Sequence, residues 1–124
     1  MKRILFLTAA LLLAASASHA QTAGDPAKGK AFFEATCSGC HELSGPAYTA
    51  PTLGGVVGRK AGTGAGYTYT KALAASGIVW SEANLDRFLA DPNGVVPGTA
   101  MPINVPDAQD RADVIAYLKT QTGH

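Results

Sequence analysis

At 124 residues, with 10 basic against 9 acidic side chains and a formal charge of +1, the chain has room for one small domain. Nothing in it forms the basic tract that nucleic-acid binding requires. One apolar run stands at its start, and no second run follows that could cross a membrane.

That first run reads as an export signal. Lys2 and Arg3 supply a positive start, and Ile4 to Ala15 is apolar except for Thr8. Ser18-His19-Ala20 sets small residues at −3 and −1 of a cut before Gln21. An uncleaved anchor is the alternative, and only that form would attach to a membrane. No cysteine follows the run, so lipoprotein processing is unsupported. The expected layout is a signal peptide over residues 1–20 and a single domain over residues 21–124, exported to a bacterial periplasm. The exported part carries 8 basic and 9 acidic residues, two histidines (His41 and His124), one methionine (Met101) and two cysteines (Cys37 and Cys40).

Asp25-Pro26 predicts the start of a helix that apolar Ala27, Ala31, Phe32 and Ala35 carry up to Cys37. Gly29 weakens such a helix by about 1 kcal/mol relative to alanine, which points to a second helix passing close by. Residues 44–66 are rich in glycine and proline and read as loop. A loop this long in a small domain implies a surface for it to wrap, and a large flat cofactor would supply one. Thr70 to Ser76 predicts a short helical turn ended by Gly77. Ser81 caps a helix to about Ala90, lined by Leu85, Phe88 and Leu89 and stopped by Asp91-Pro92. Asn93 to Pro106 reads as loop. Asp107 then caps a last helix to about Thr120, with Val114, Ile115, Tyr117 and Leu118 on its apolar face. No stretch alternates as a strand would, so the class is small all-α with long loops.

Residues 37–41 read CSGCH. Three chemistries share that pattern. Structural zinc needs four ligands, usually from two paired sets, and here only His124 could complete Cys37, Cys40 and His41 by histidine. Thiol–disulfide exchange wants the motif after a strand in a βαβ unit, and no such unit is predicted. Covalent haem attachment needs the pattern as it stands. Cys37 and Cys40 would take two vinyl groups from one turn of chain, and His41 would fall under the iron. Export agrees with haem, with zinc and thiol chemistry as the rivals.

If haem is bound, a second axial ligand comes from Met101, His124 or a lysine. Met101 stands 60 residues beyond His41, between the Pro97-Gly98 turn and Pro102, in a loop long enough to wrap the group. A lone methionine is more often core filling, but this loop is badly placed for helix packing. His124, at the terminus, would lose more conformational entropy on binding.

With these residues in place the chain resembles a class I cytochrome c, close to the bacterial cytochrome c2 and mitochondrial type. The resemblance runs through G-x-x-x-F at Gly29 to Phe33, CSGCH, P-x-L at Pro51 to Leu53, GRKAG from Gly58 and GYTYT from Gly66. It continues through GIVW ending at Trp80, LADP ending at Pro92, PGTAM ending at Met101 and DVIAYLK ending at Lys119. It implies an all-α fold whose first and last helices cross at Gly29 and Tyr117, with long loops wrapping one haem c attached through Cys37 and Cys40. It implies that the Pro51 carbonyl orients His41, that Arg59, Tyr69 and Trp80 hold a haem propionate, and that Thr99 belongs to the haem pocket.

Two departures stand out. Phe88 replaces a tyrosine found in many relatives near the methionine. The lysines that ring the haem edge in mitochondrial relatives are also largely missing, with Thr36, Asn93, Ala100, Asp107 and Ala108 at such positions. A strongly acidic partner is therefore not expected, and docking through a lightly charged apolar rim is. The expected function is a soluble, monomeric periplasmic electron carrier, not an enzyme, with redox-partner proteins and no nucleic acid. The rivals are the cytochrome subunit of a periplasmic dehydrogenase, and a haem peroxidase or gas-binding protein with a labile Met101.

Overall fold

A computed structural model of the protein describes residues 23–122, so the expected signal and His124 lie outside the described residues. Helix α1, Pro26–Phe32, begins as predicted: the Asp25 carboxylate accepts the Ala27 and Lys28 amides at 2.9 and 3.4 Å, with Pro26 in the first turn. It does not continue as an α-helix to Cys37. Phe33–Cys37 widens into a π turn, closed by the Ser38 amide on the Phe33 carbonyl at 2.9 Å.

Gly29 is buried at a close approach, as predicted, but the apolar residues expected to carry this helix are mostly not the ones it buries. Ala27, Ala31 and Ala35 are exposed, Phe32 is half-buried, and Gly29 and Phe33 are buried. The reason is the close approach of α5. Gly29 and Phe33 are one helical turn apart on one face, and the side without a Cβ is the side that α5 can reach.

Helix α2, Lys71–Ala74, falls inside the predicted turn and is capped by Thr70, a cap the sequence reading did not name. Helix α3, Glu82–Ala90, is capped by Ser81, as the sequence predicts. Leu85 and Phe88 of α3 are buried and Leu89 is half-buried. The segment after Asp91 is not all loop. Pro92–Val95 forms a short helix, α4, because the Asp91 carboxylate caps the Gly94 amide at 3.0 Å and Pro92 is preset for a first turn. Helix α5, Ala108–Thr120, is capped by Asp107 and buries Val114, Ile115, Tyr117 and Leu118.

Helices α1 and α5 are packed together at a crossing where two glycines face backbone. A Cβ on Gly29 would sit 1.9 Å from the Asp113 carbonyl oxygen, and one on Gly24 would sit 2.0 Å from that of Ala112. Phe33 and Tyr117 meet beside them with ring centroids 5.7 Å apart. Asp113, also buried, was not foreseen in the apolar face of α5. It accepts the Asp25 amide at 2.8 Å and the Gln109 side-chain amide at 2.9 Å, so it ties the start of α1 to α5.

Residues 44–66 carry no helix. They are held by scattered backbone bonds, such as Gly54 to the Leu43 carbonyl at 2.9 Å and Ala61 to the Ile78 carbonyl at 2.7 Å. A single antiparallel bridge, Lys60 to Val79, is the only strand-like pairing among the described residues.

Candidate cofactor site

The core is built around a cavity instead of filling it. Phe33, Val56, Trp80, Leu85, Phe88, Val114 and Leu118 are buried, and each also lines a cavity of about 360 Å³. Its walls are almost entirely apolar, so filling it removes that surface from water. The space therefore calls for a large apolar occupant.

All nine residues singled out in the sequence line this one cavity: Cys37, Cys40, His41, Pro51, Arg59, Tyr69, Trp80, Thr99 and Met101. The cysteines stand on a single tight turn, in which the amides of Cys40 and His41 both donate to the Cys37 carbonyl, at 3.1 and 3.0 Å. They are not joined to each other as a disulfide. Burial pushes the Cys37 thiol up to about 11, so it is protonated at neutral pH and a poor nucleophile for disulfide exchange. Among the described residues no group of three or more His, Cys, Asp or Glu side chains converges to hold a metal ion.

His41 is fixed by its neighbour. Its Nδ1 lies 2.8 Å from the Pro51 carbonyl oxygen and donates to it, which leaves the Nε2 lone pair for another partner. Burial lowers the pKa of the ring, and the Pro51 bond only partly opposes that shift, so the imidazole stays neutral. A neutral, oriented imidazole is the form that binds a metal.

Arg59 donates from Nη2 to the Thr52 carbonyl at 3.1 Å and from Nη1 to that of Gly54 at 3.4 Å, so its charge is held in place at the cavity wall. The hydroxyl of Tyr69 comes close to the same guanidinium. A Cβ on Gly64 would fall 2.3 Å from the Tyr69 hydroxyl and 3.2 Å from Arg59 Nη2. Gly64 was not among the predicted site residues, since one glycine in a glycine-rich loop carries no signal of its own. Trp80 is buried against Phe88 with ring centroids 4.9 Å apart. Thr99 accepts the Met101 amide on its hydroxyl at 3.4 Å. The rim carries few charges: Thr36, Cys40, Ala100, Pro102 and Ile103 line the cavity and are exposed.

This donor set suits a large planar group carrying iron and acidic side arms. It offers two thiols on one turn, a neutral imidazole, a thioether and a fixed cation beside a phenol. The cavity walls are apolar, as the body of such a group requires. Comparison with known proteins agrees. The family described as Cytochrome c matches residues 26–122.

The chain belongs to the cytochrome c family.

A cytochrome c2 of Rhodomicrobium vannielii is 44% identical over 98% of this chain and 96% of its own length. A cytochrome c of Tetrahymena pyriformis is 47% identical over 78% of this chain and 89% of its own. The structure of cytochrome cH from Methylobacterium extorquens superposes with a TM-score of 0.75 at 46% identity, covering 78% of this chain and 99% of that one. The fold is the all-α cytochrome c fold with its first and last helices in contact. The protein is a cytochrome c-type electron carrier, and the family is not one of enzymes. Family membership together with the Cys37/Cys40 pair implies covalently bound haem c.

Proposed function

We propose that this cytochrome c is a soluble periplasmic carrier that shuttles single electrons between redox-partner proteins, after removal of residues 1–20 on export. In this reading Cys37 and Cys40 would hold one haem c by thioethers, and His41 and Met101 would ligate its iron. The reading rests on one observation above all: Cys37, Cys40, His41 and Met101, from two distant segments, line the same apolar cavity. Bound haem c supplies the one-electron couple between ferric and ferrous iron.

The chain's own residues set the conditions for that couple. The Pro51 carbonyl holds the His41 ring in one tautomer and one orientation. Thr99 steadies the backbone of Met101, and the Met101 thioether favours the reduced state. Arg59, with Tyr69 and Trp80, would hold a propionate, since a fixed guanidinium suits a carboxylate. Phe88 packs on Trp80 and makes that wall apolar. Partner proteins meet the uncharged rim that includes Ala100, Pro102 and Ile103, so transfer rates depend only modestly on salt.

The test is an absorption spectrum of the natively exported protein, first oxidised, then with ascorbate, then with carbon monoxide. A weak far-red band when oxidised, ready reduction and no response to carbon monoxide are expected. Met101→Ala should abolish the far-red band and admit carbon monoxide. Rapid carbon monoxide binding by the wild type would replace the carrier reading with a peroxidase or gas-binding one. Stable co-purification with a larger dehydrogenase would instead make the chain its cytochrome subunit. The mass of the exported protein reports whether the cut falls before Gln21 and whether one haem is attached.

A further inference from the structure

The segment that brings Met101 to the cavity leaves α4 at Val95 and is tied back where the Val105 amide donates to the Leu89 carbonyl at 2.7 Å. Between those points its hydrogen bonds are few. The Thr99 amide donates to the Val96 carbonyl at 3.0 Å, and the Met101 amide reaches the Thr99 hydroxyl at 3.4 Å. One further bond comes from a side chain outside the segment: the Gly98 amide donates to Asn93 Oδ1 at 3.0 Å. Among the described residues no other side chain outside residues 97–104 bonds to the backbone of that stretch.

Gly98 is also the point at which the chain turns. Its φ is +86°, in the left-handed region that glycine occupies at little cost, so the turn has no side chain of its own to brace it. The brace comes from Asn93, which sits on α4. Helix α4 is in turn fixed by the Asp91 cap on Gly94 and by buried Pro92.

We infer that Asn93 is a positioning residue for Met101: by holding the Gly98 amide it keeps the thioether-bearing loop closed on the cavity. The inference rests on the reading of Met101 as an iron ligand. Asn93 touches neither the cavity wall nor the thioether, and acts only through the Gly98 turn. What the site uses is the side-chain oxygen as an acceptor. Aspartate keeps that acceptor, and alanine does not. Both positions are exposed, so water satisfies the Gly98 amide when the bond is lost, and the effect is a raised population of open loop, not a failure to fold.

The experiment uses the ferric, haem-loaded protein and imidazole as the probe, because imidazole occupies the iron when the thioether leaves. The far-red band reports the displacement. Asn93→Ala is expected to bind imidazole roughly three- to tenfold more tightly than the wild type, and Asn93→Asp to stay near the wild-type value. A role confined to general stability would lower the denaturation midpoint without changing imidazole affinity. The inference is overturned if Asn93→Ala matches the wild type, or if Asn93→Asp behaves like Asn93→Ala. Amide hydrogen exchange at Gly98 in the wild type gives an independent measure, with protection expected and free exchange counting against the bond. Met101→Ala separates the two levels of the argument. If it keeps the far-red band, the ligand reading fails and this inference with it. If it loses the band while Asn93→Ala is silent, only the role of Asn93 fails.

Discussion

The α1–α5 crossing and the loop from Val96 to Val105 flank the same cavity, and they are held by opposite means. At the crossing, backbone lies against backbone. Gly24 and Gly29 leave no room for a Cβ, Phe33 and Tyr117 close the contact, and a buried carboxylate joins the two helices. Around Met101 the chain is held by one exposed side-chain acceptor, Asn93, by the half-buried Thr99 hydroxyl and by one left-handed glycine. Burial makes the first region cooperative with the whole fold, whereas water can replace the bonds of the second one at a time. The helix crossing should therefore open only with global unfolding, and the Met101 loop should open locally.

Variants that act on one region and spare the other test this contrast. Replacing Cys37 and Cys40 together by alanine should prevent attachment of the cavity's occupant. The remaining void is large enough to leave no cooperatively folded domain, which circular dichroism and a thermal melt would register. A sharp melt in that variant would mean that the core closes without its occupant.

Gly29→Ala comes next. Alanine gains about 1 kcal/mol in helix propensity, but its Cβ meets the Asp113 carbonyl, and backbone cannot swing aside. Overpacking should win, with a net loss of about 2 kcal/mol in denaturant unfolding. Imidazole affinity at the Met101 side should be unchanged. A coupled change would show that the two regions are not independent.

Asp113→Ala removes the acceptor of the Asp25 amide, at an expected loss of about 1–3 kcal/mol. The same group predicts a pH dependence. The bond from the Asp25 amide, then that from Gln109, hold the Asp113 carboxyl below the ordinary value of 3.8. A depressed carboxyl contributes stability that is complete above the unfolded value and lost as pH falls through the folded one. The wild type should therefore lose stability below about pH 4 more steeply than Asp113→Asn, whose side-chain oxygen still accepts both bonds. Parallel curves for the two proteins would remove Asp113 from the acid transition.

Lys119→Ala should matter least. The pair with Glu82 is 3.2 Å long, but both side chains are at least half exposed, and such pairs contribute about 0–1 kcal/mol. A loss well above that range would mean that the α3–α5 contact depends on it.

Much of this molecule is legible in its residues because the signals are local. Asp25, Ser81 and Asp107 each cap the helix they were expected to cap, since a side-chain oxygen finds an amide two or three residues on without help from the fold. The turn of Cys37 to His41 is equally local. Met101 could be picked out by elimination because the chain has so few soft ligands.

The remaining features depend on residues far apart in sequence. That a helix passes close to Gly29 was legible from the glycine itself, but that the alanines of α1 stay exposed while Phe33 is buried depends on where α5 lies. Asp113 reads as a surface charge until the Asp25 amide, 88 residues away, is placed against it. Gly64 has meaning only beside Tyr69 and Arg59, and Asn93 only beside the Gly98 turn. Caps, turns and ligand types follow from interactions within a few residues, which the order of amino acids dictates. Register, burial of a charge and the bracing of a loop follow from which distant surfaces meet, and only packing around the cavity decided those.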